Sequence, residues 1–179
     1  MNFKNKKFPA QIFRAYDIRG KISFLTPEIV KAIAYGLVAQ YQKVGQTQLV
    51  IGYDARLTSP EYAEIIRHVC EEKGLNATII GCCSTPLLYF IARQFEGNGI
   101  MLTASHNPKT DNGIKWIVQG EPPCPEMIQH VGISASRTFD PSEKLVIKPV
   151  QHEVVVEYCL EYQQALLQDI QLKRPFKVV

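Results

Sequence analysis

The sequence predicts an α/β protein: a three-layer α/β/α sandwich around a mixed, mostly parallel sheet. Two observations carry this. Short apolar runs that stop at or near glycine alternate with stretches of helical periodicity. Each of those helical stretches also begins with a hydroxyl residue followed by proline. Repeated strand–helix units of this kind give parallel strands with helices on both faces.

The elements follow in order. Ile29, Ile33, Leu37 and Tyr41 recur every four residues and give one apolar helix face. Leu49-Val50-Ile51-Gly52 is a buried strand. Tyr62, Ile65, Ile66 and Val69 form a second helix face. Ala77-Thr78-Ile79-Ile80-Gly81 forms a second strand. Leu87, Leu88, Ile91 and Phe95 form a third helix face, and Gly99-Ile100-Met101-Leu102 a third strand. Thr26-Pro27, Ser59-Pro60 and Thr85-Pro86 each offer an N-cap hydroxyl and a proline at the first helical position. Lys73-Gly74 closes the second helix.

The fourth strand, Ile114-Lys115-Trp116-Ile117-Val118, should differ. Only about ten residues separate it from the third, too few for a parallel crossover, so antiparallel pairing is expected. Asn112-Gly113 before it is a turn signal. A proline-rich loop over 120–125 leads to a short helix from Glu126, and residues 145–150 read as an edge strand. A long helix is expected over 154–170, apolar on more than one side, and Phe176-Lys177-Val178-Val179 resembles the opening of another strand. These last features predict a boundary near residue 151, with 152–179 opening a second α/β domain.

Composition excludes several classes. The 179 residues are 46% apolar and 21% charged, ordinary for a globular chain with a sizeable core. A net charge of +3, with basic residues spread out apart from Lys4, Lys6 and Lys7, gives no nucleic-acid footprint. No apolar run approaches the roughly 18 residues of a membrane span, and no signal-peptide h-region opens the chain. The five cysteines have neither C-x-x-C spacing nor companion histidines, so reduced structural thiols of a cytoplasmic protein are expected.

The chemistry concentrates in Thr103-Ala104-Ser105-His106-Asn107-Pro108, which leaves the carboxyl end of a strand. In an open α/β sheet that is where ligands bind. Pro108 and Gly113 brace the segment. Neighbouring residues of an extended segment point apart, so His106 is a poor direct base for Ser105. The G-x-S-x-G elbow, the Walker loop and a properly placed dinucleotide fingerprint are all absent. Cations are the better signal. Lys115 lies in the next strand. Arg14 and Arg19 lie in FRAYDIRG, where Gly20 would allow a tight turn. Arg56 lies in GYDARLTSP, with Asp54 as an alternative salt-bridge partner. Convergence of these cations on Ser105 would suit a phosphoryl group.

TASHNP followed by DNGIK resembles the active-site serine loop of the α-D-phosphohexomutases. FRAYDIRG, GYDARLTSP and STP before a helix match the same family in the same order, most closely its phosphomannomutase/phosphoglucomutase branch. The resemblance implies domain I of that fold over 1–151, and an isomerase that moves a phosphoryl group between the 1- and 6-positions of mannose or glucose phosphate. Ser105 would carry the phosphoryl group and a hexose 1,6-bisphosphate would be the intermediate. Lys115 and Arg19 would flank the transferring phosphate, and His106 would position substrate or shuttle a proton. Tyr16, Arg14, Asn107 and Arg56 would line the substrate site. Mg2+ would bind the phosphate on Ser105. The family's other metal ligands lie in a D-G-D-G-D-R loop that this sequence lacks, so the resemblance implies an incomplete, inactive portion. The alternative is a non-catalytic phosphate-binding or assembly module, self-associating through 154–170.

Overall fold

The computed structural model describes residues 8–143, 145, 147, 150, 152, 156–170, 174 and 177. Its elements are β1 (Ile18–Lys21), α1 (Pro27–Lys43), β2 (Gln48–Tyr53), α2 (Ser59–Glu72), β3 (Asn76–Cys82), α3 (Thr85–Ala92), β4 (Gly99–Leu102), β5 (Asp111–Ile117), α4 (Pro125–Thr138) and α5 (Val156–Asp169).

The sheet order is β1-β5-β4-β2-β3. β2 pairs in parallel with both β3 and β4. β5 runs antiparallel to β4 and to β1, so β1 points the same way as the parallel three. The expected reversal at the fourth strand is therefore present. α1, α2 and α4 bury one face of the sheet, with Tyr41, Ile51, Ile66, Ile100, Ile114 and Trp116 in that core. On the other face α3 supplies Leu87, Leu88 and Ile91 against Val50, Ile80, Met101 and Ile117. This is the three-layer α/β/α sandwich.

Several local expectations are corrected. β1 went unforeseen because Ile18-Arg19-Gly20-Lys21 has one large apolar residue; its backbone pairing with β5 makes it a strand. Gly20 therefore sits in a strand, where a Cβ would meet Ile12 Cγ2 at 2.8 Å. The tight turn lies earlier: the Arg14 N–H donates to the Asp17 carbonyl at 2.9 Å, and Phe13 bridges Ile18. Asn112 and Gly113 belong to β5 rather than to a turn. Gly113 is needed for close approach, since a Cβ there would lie 2.6 Å from the Ile18 carbonyl oxygen and 2.8 Å from that of Thr103.

Helix starts also shift. Thr26 is the N-cap of α1 with Pro27 behind it, as expected, though its side chain makes no cap bond, whereas Ser59 lies inside α2, whose N-cap is Thr58. Among the described helix starts, α3 alone has a hydroxyl cap bond, Ser84 Oγ accepting from the Leu87 N–H at 3.4 Å, one residue before the expected Thr85. Gly74 does end α2 with φ +78°, as expected. α4 is a full 14-residue helix rather than a short one.

Of the edge strand expected over 145–150, Leu145, Ile147 and Val150 are described and lie in no strand. Leu145 and Ile147 are instead partly buried against the larger hydrophobic core. Residues 144, 146, 148 and 149 lie outside the described residues, as do the Lys4, Lys6 and Lys7 cluster, positions 154 and 155, and all of 176–179 except Lys177. α5 runs as expected but buries no residue fully. All five cysteines are free. Burial pushes the Cys70 and Cys83 thiols up to about 12, which suits inert structural residues. Cys82 and Cys124 are exposed, so the structural reading does not extend to them. No described helix is long and apolar enough to cross a membrane.

Candidate active site

The register of β1 on β5 builds the charged part of the site. Arg19 faces Gly113 and Ile18 faces Ile114. Asp17, two residues from Arg19, projects to the same side, and the same register sets it opposite Lys115. The side chains meet accordingly. Lys115 Nζ lies 3.1 Å from Asp17 Oδ2, and Arg19 Nη2 donates to that same oxygen. A buried carboxylate thus holds two cations together. Arg19 Nε is buried and has no hydrogen-bond partner among the described residues. The apolar residues buried on this face come from β2, β3 and β4, with Ile117 alone from β5, so β1 and the first part of β5 are left to polar groups.

The serine loop reaches this cluster from the end of β4. Arg19 Nη1 donates to Asn107 Oδ1 at 3.5 Å, and Asn107 Nδ2 to Asp111 Oδ2 at 2.8 Å. Ser105 and His106 form the centre of a turn closed by the Asn107 N–H on the Ala104 carbonyl at 3.1 Å. The segment is therefore not extended, as the sequence reading assumed. Ser105 has φ +57°, the left-handed region that non-glycine residues seldom enter. Holding a serine there costs roughly 1–3 kcal/mol, which the surroundings must offset.

The surroundings are specific. The Ser105 N–H donates to Thr103 Oγ1 at 2.9 Å, and that hydroxyl donates to Asp54 Oδ2 at 2.8 Å. Arg56 Nε lies on the same Asp54 oxygen at 2.9 Å. Arg56 Nη1 donates to the carbonyls of Pro108 at 2.7 Å and Asp111 at 2.9 Å. Arg56 Nη2 donates to those of Ser105 at 3.1 Å and Asn107 at 2.8 Å. Below, Asn112 Nδ2 donates to Thr58 Oγ1 at 2.8 Å and Ser59 Oγ at 3.0 Å, and Ser59 Oγ donates to Asp54 Oδ1 at 3.0 Å. Ser105 itself is exposed, with its backbone fixed on both sides.

The structure thus links Asn107, Arg19 and Lys115 through Asp17, and Ser105 stands on the same turn as Asn107, with no described side-chain bond from its hydroxyl to either cation. His106 is exposed in the same turn. Arg14 and Tyr16 stand on the neighbouring Arg14–Asp17 turn, Tyr16 at 82% exposure, and no described hydrogen bond ties their side chains to the serine loop. Arg56 is placed differently from the substrate contact expected of it. A guanidinium has five N–H donors, and all five here meet Asp54 or loop carbonyls, leaving none for a ligand. The Asp54 partnership weighed as the alternative is real, and the loop contacts add to it. Sequence reasoning missed Asp17 and Thr103. Asp17 carried a signal, an acid two residues before Arg19 in a motif already singled out. Thr103 carried none, because its partners are set by tertiary folding.

Comparison with known proteins identifies relatives of this chain. Residues 10–137 match the family model described as phosphoglucomutase/phosphomannomutase, alpha/beta/alpha domain I. A phosphomannomutase/phosphoglucomutase of Pseudomonas aeruginosa is 34% identical over 178 residues, covering 98% of this chain and 37% of that protein. A phosphoglucomutase of Neisseria meningitidis is 32% identical over 177 residues, covering 93% of this chain and 36% of the other. The crystal structure of a phosphoglucomutase/phosphomannomutase family protein from Burkholderia thailandensis superposes with TM-score 0.75 at 26% identity, over 94% of this chain and 38% of that one. The chain therefore spans a little over a third of the length of these relatives. With an exposed serine on a clamped turn beside paired cations, and a matching model over residues 10–137, this chain belongs to the phosphoglucomutase/phosphomannomutase family.

Proposed function

We propose that the chain carries the phosphoryl-accepting serine of a phosphohexomutase, an isomerase that moves a phosphoryl group between the 1- and 6-positions of mannose or glucose phosphate. The observation that supports this is the exposed Ser105 on the same turn as Asn107, whose side chain accepts from Arg19, which shares Asp17 with Lys115. Phosphoryl transfer asks little covalent chemistry of a protein and much charge neutralisation and positioning. Ser105 Oγ attacks phosphorus of the bisphosphorylated sugar, the phosphorus–oxygen bond to the sugar breaks, and the serine proton moves to the departing oxygen or a nearby base. The reverse step returns the phosphoryl group to the other hydroxyl. Lys115 and Arg19 take up charge on the equatorial oxygens, and the orphaned Arg19 Nε favours an anion nearby. His106 stands where it can orient a sugar hydroxyl or move that proton. Arg14, Tyr16 and Asn107 face the substrate.

The described residues do not by themselves fit a magnesium site, since they hold no group of three or more His, Cys, Asp or Glu able to bind a metal. The phosphate on Ser105 supplies one ligand in this proposal, and the others must come from outside these residues. On the same ground the 179-residue chain alone should complete the mutase cycle at a negligible rate, because the described residues hold no metal cage, whereas a single slow transfer to Ser105, read after long incubation, asks for no repeated turnover. The free cysteines favour a reducing, cytoplasmic setting.

The test is phosphorylation of the chain by glucose 1,6-bisphosphate, read by intact mass. One phosphate is expected on the wild type and none on Ser105→Ala. A wild type that gains none, or a variant that still gains one, overturns the reading. A second reading, a non-catalytic assembly module, is favoured by α5, where Val156, Leu160, Leu166, Leu167 and Ile170 are exposed. Solution mass with and without residues 152–179 decides it, a monomer in both cases removing its basis.

A further inference from the structure

Arg56 is better placed to shape the serine loop than to touch a ligand. Four of its five donors reach main-chain carbonyls of Ser105, Asn107, Pro108 and Asp111, and the fifth meets Asp54. Its side chain is only 11% exposed. The same Asp54 carboxylate accepts from Thr103 Oγ1, which in turn accepts the Ser105 N–H. The peptide groups on both sides of Ser105 are thus tied to one carboxylate, its N–H through Thr103 and its carbonyl through Arg56. Ser105 sits between those ties with φ +57°. Without them, a serine would relax toward the ordinary negative-φ regions and the direction of its Oγ would change.

We propose that Arg56, seated on Asp54, is a positioning residue that locks Ser105 in its left-handed turn and so fixes the direction of its nucleophilic oxygen. This rests on the phosphoserine reading only for its catalytic consequence. The conformational lock stands on the geometry alone.

The experiment compares the wild-type chain with Arg56→Lys, which keeps the charge but has only three donors on a point-like ammonium. NMR of the wild type should give the strong intra-residue amide–Hα cross-peak that a positive φ produces at Ser105. In Arg56→Lys that cross-peak should weaken or vanish. The Asn107 and Asp111 amides should exchange with solvent about tenfold faster or more, while amides of β2 and β4 keep their protection. In phosphorylation by glucose 1,6-bisphosphate, the maximal rate should fall on the order of 100-fold while the half-saturating concentration moves less than about threefold. An unchanged cross-peak and unchanged loop exchange overturn the lock. A raised half-saturating concentration at an unchanged maximal rate also overturns it, making Arg56 a substrate cation instead. Should Arg56→Lys fail to fold, Thr103→Val carries the test: faster exchange of the Ser105 amide alone is expected, and no change overturns the proposal. If the wild type accepts no phosphate, the phosphoserine reading falls while the NMR result still decides the lock.

Discussion

The serine loop and α5 are opposite solutions to lying at the surface. The loop exposes Ser105, His106 and residues 108–110, yet Arg56 and Thr103, both seated on Asp54, bond its backbone. α5 is regular helix, yet it buries no residue fully. It rests on the α3 side through partly buried Tyr158, Cys159 and Tyr162, whose ring lies 5.3 Å from that of Phe90. Local order in the loop comes from directional bonds to buried partners. In α5 it comes from the helix's own ladder, with much of the apolar surface still facing out. An irregular segment can therefore be the more tightly specified of the two.

Substitutions can break this comparison. Gly113→Val should act most strongly, because its Cβ would meet two carbonyl oxygens that cannot move without shifting β1 or the start of the loop. A loss of about 3 kcal/mol in urea unfolding is expected. Asp54→Ala should follow at about 2 kcal/mol, since Arg56, Thr103 and Ser59 all lose an acceptor. A loss as small as that of a surface change would mean the loop is not held from below.

Glu64 tests how His152, shortly before α5, is held on α2. Burial alone would push its carboxyl up, but hydrogen bonds from His152 and Arg67, with the charges they carry, bring it below the usual value. A carboxyl lowered on folding adds stability above its unfolded pKa and loses it as pH falls through the lower folded value. Glu64→Gln should therefore flatten the decline in stability below about pH 4.3 and change it by about 1 kcal/mol or less at neutral pH, read from urea midpoints across pH. Leu167→Ser on α5 should have the smallest effect, within about 0.5 kcal/mol, because Leu167 is 75% exposed. A larger cost would show that this face is covered in solution, and the contrast with the loop would narrow.

Periodicity made β2, β3, β4 and the first three helices legible, because each carries an apolar run or stripe that packs into a core and the pattern is local. β1 was not legible: Arg19, Gly20 and Lys21 have no strand pattern, and pairing with β5 overrides propensity. Thr26 was placed correctly at the start of α1, while the caps of α2 and α3 fell one residue earlier than expected, because two hydroxyls precede Pro60 and Pro86 and Ser59 is drawn to Asp54 instead of a helix N–H. In the site, Ser105, Arg19 and Lys115 could be read from motifs. Asp17's bridging of two cations and Arg56's turn toward the backbone could not, since both depend on strand register and on carbonyl directions.

The antiparallel ladder between β1 and β5 has a further consequence. Asp17 and Lys115 are cross-strand partners, and Arg19 reaches the same carboxylate from two residues along. Sliding β1 by a single position would carry Asp17 to the greasy side and strand an anion among Ile114 and Trp116. The ion triad thus doubles as an alignment key, making misthreaded versions of this short border strand expensive even before any sugar arrives.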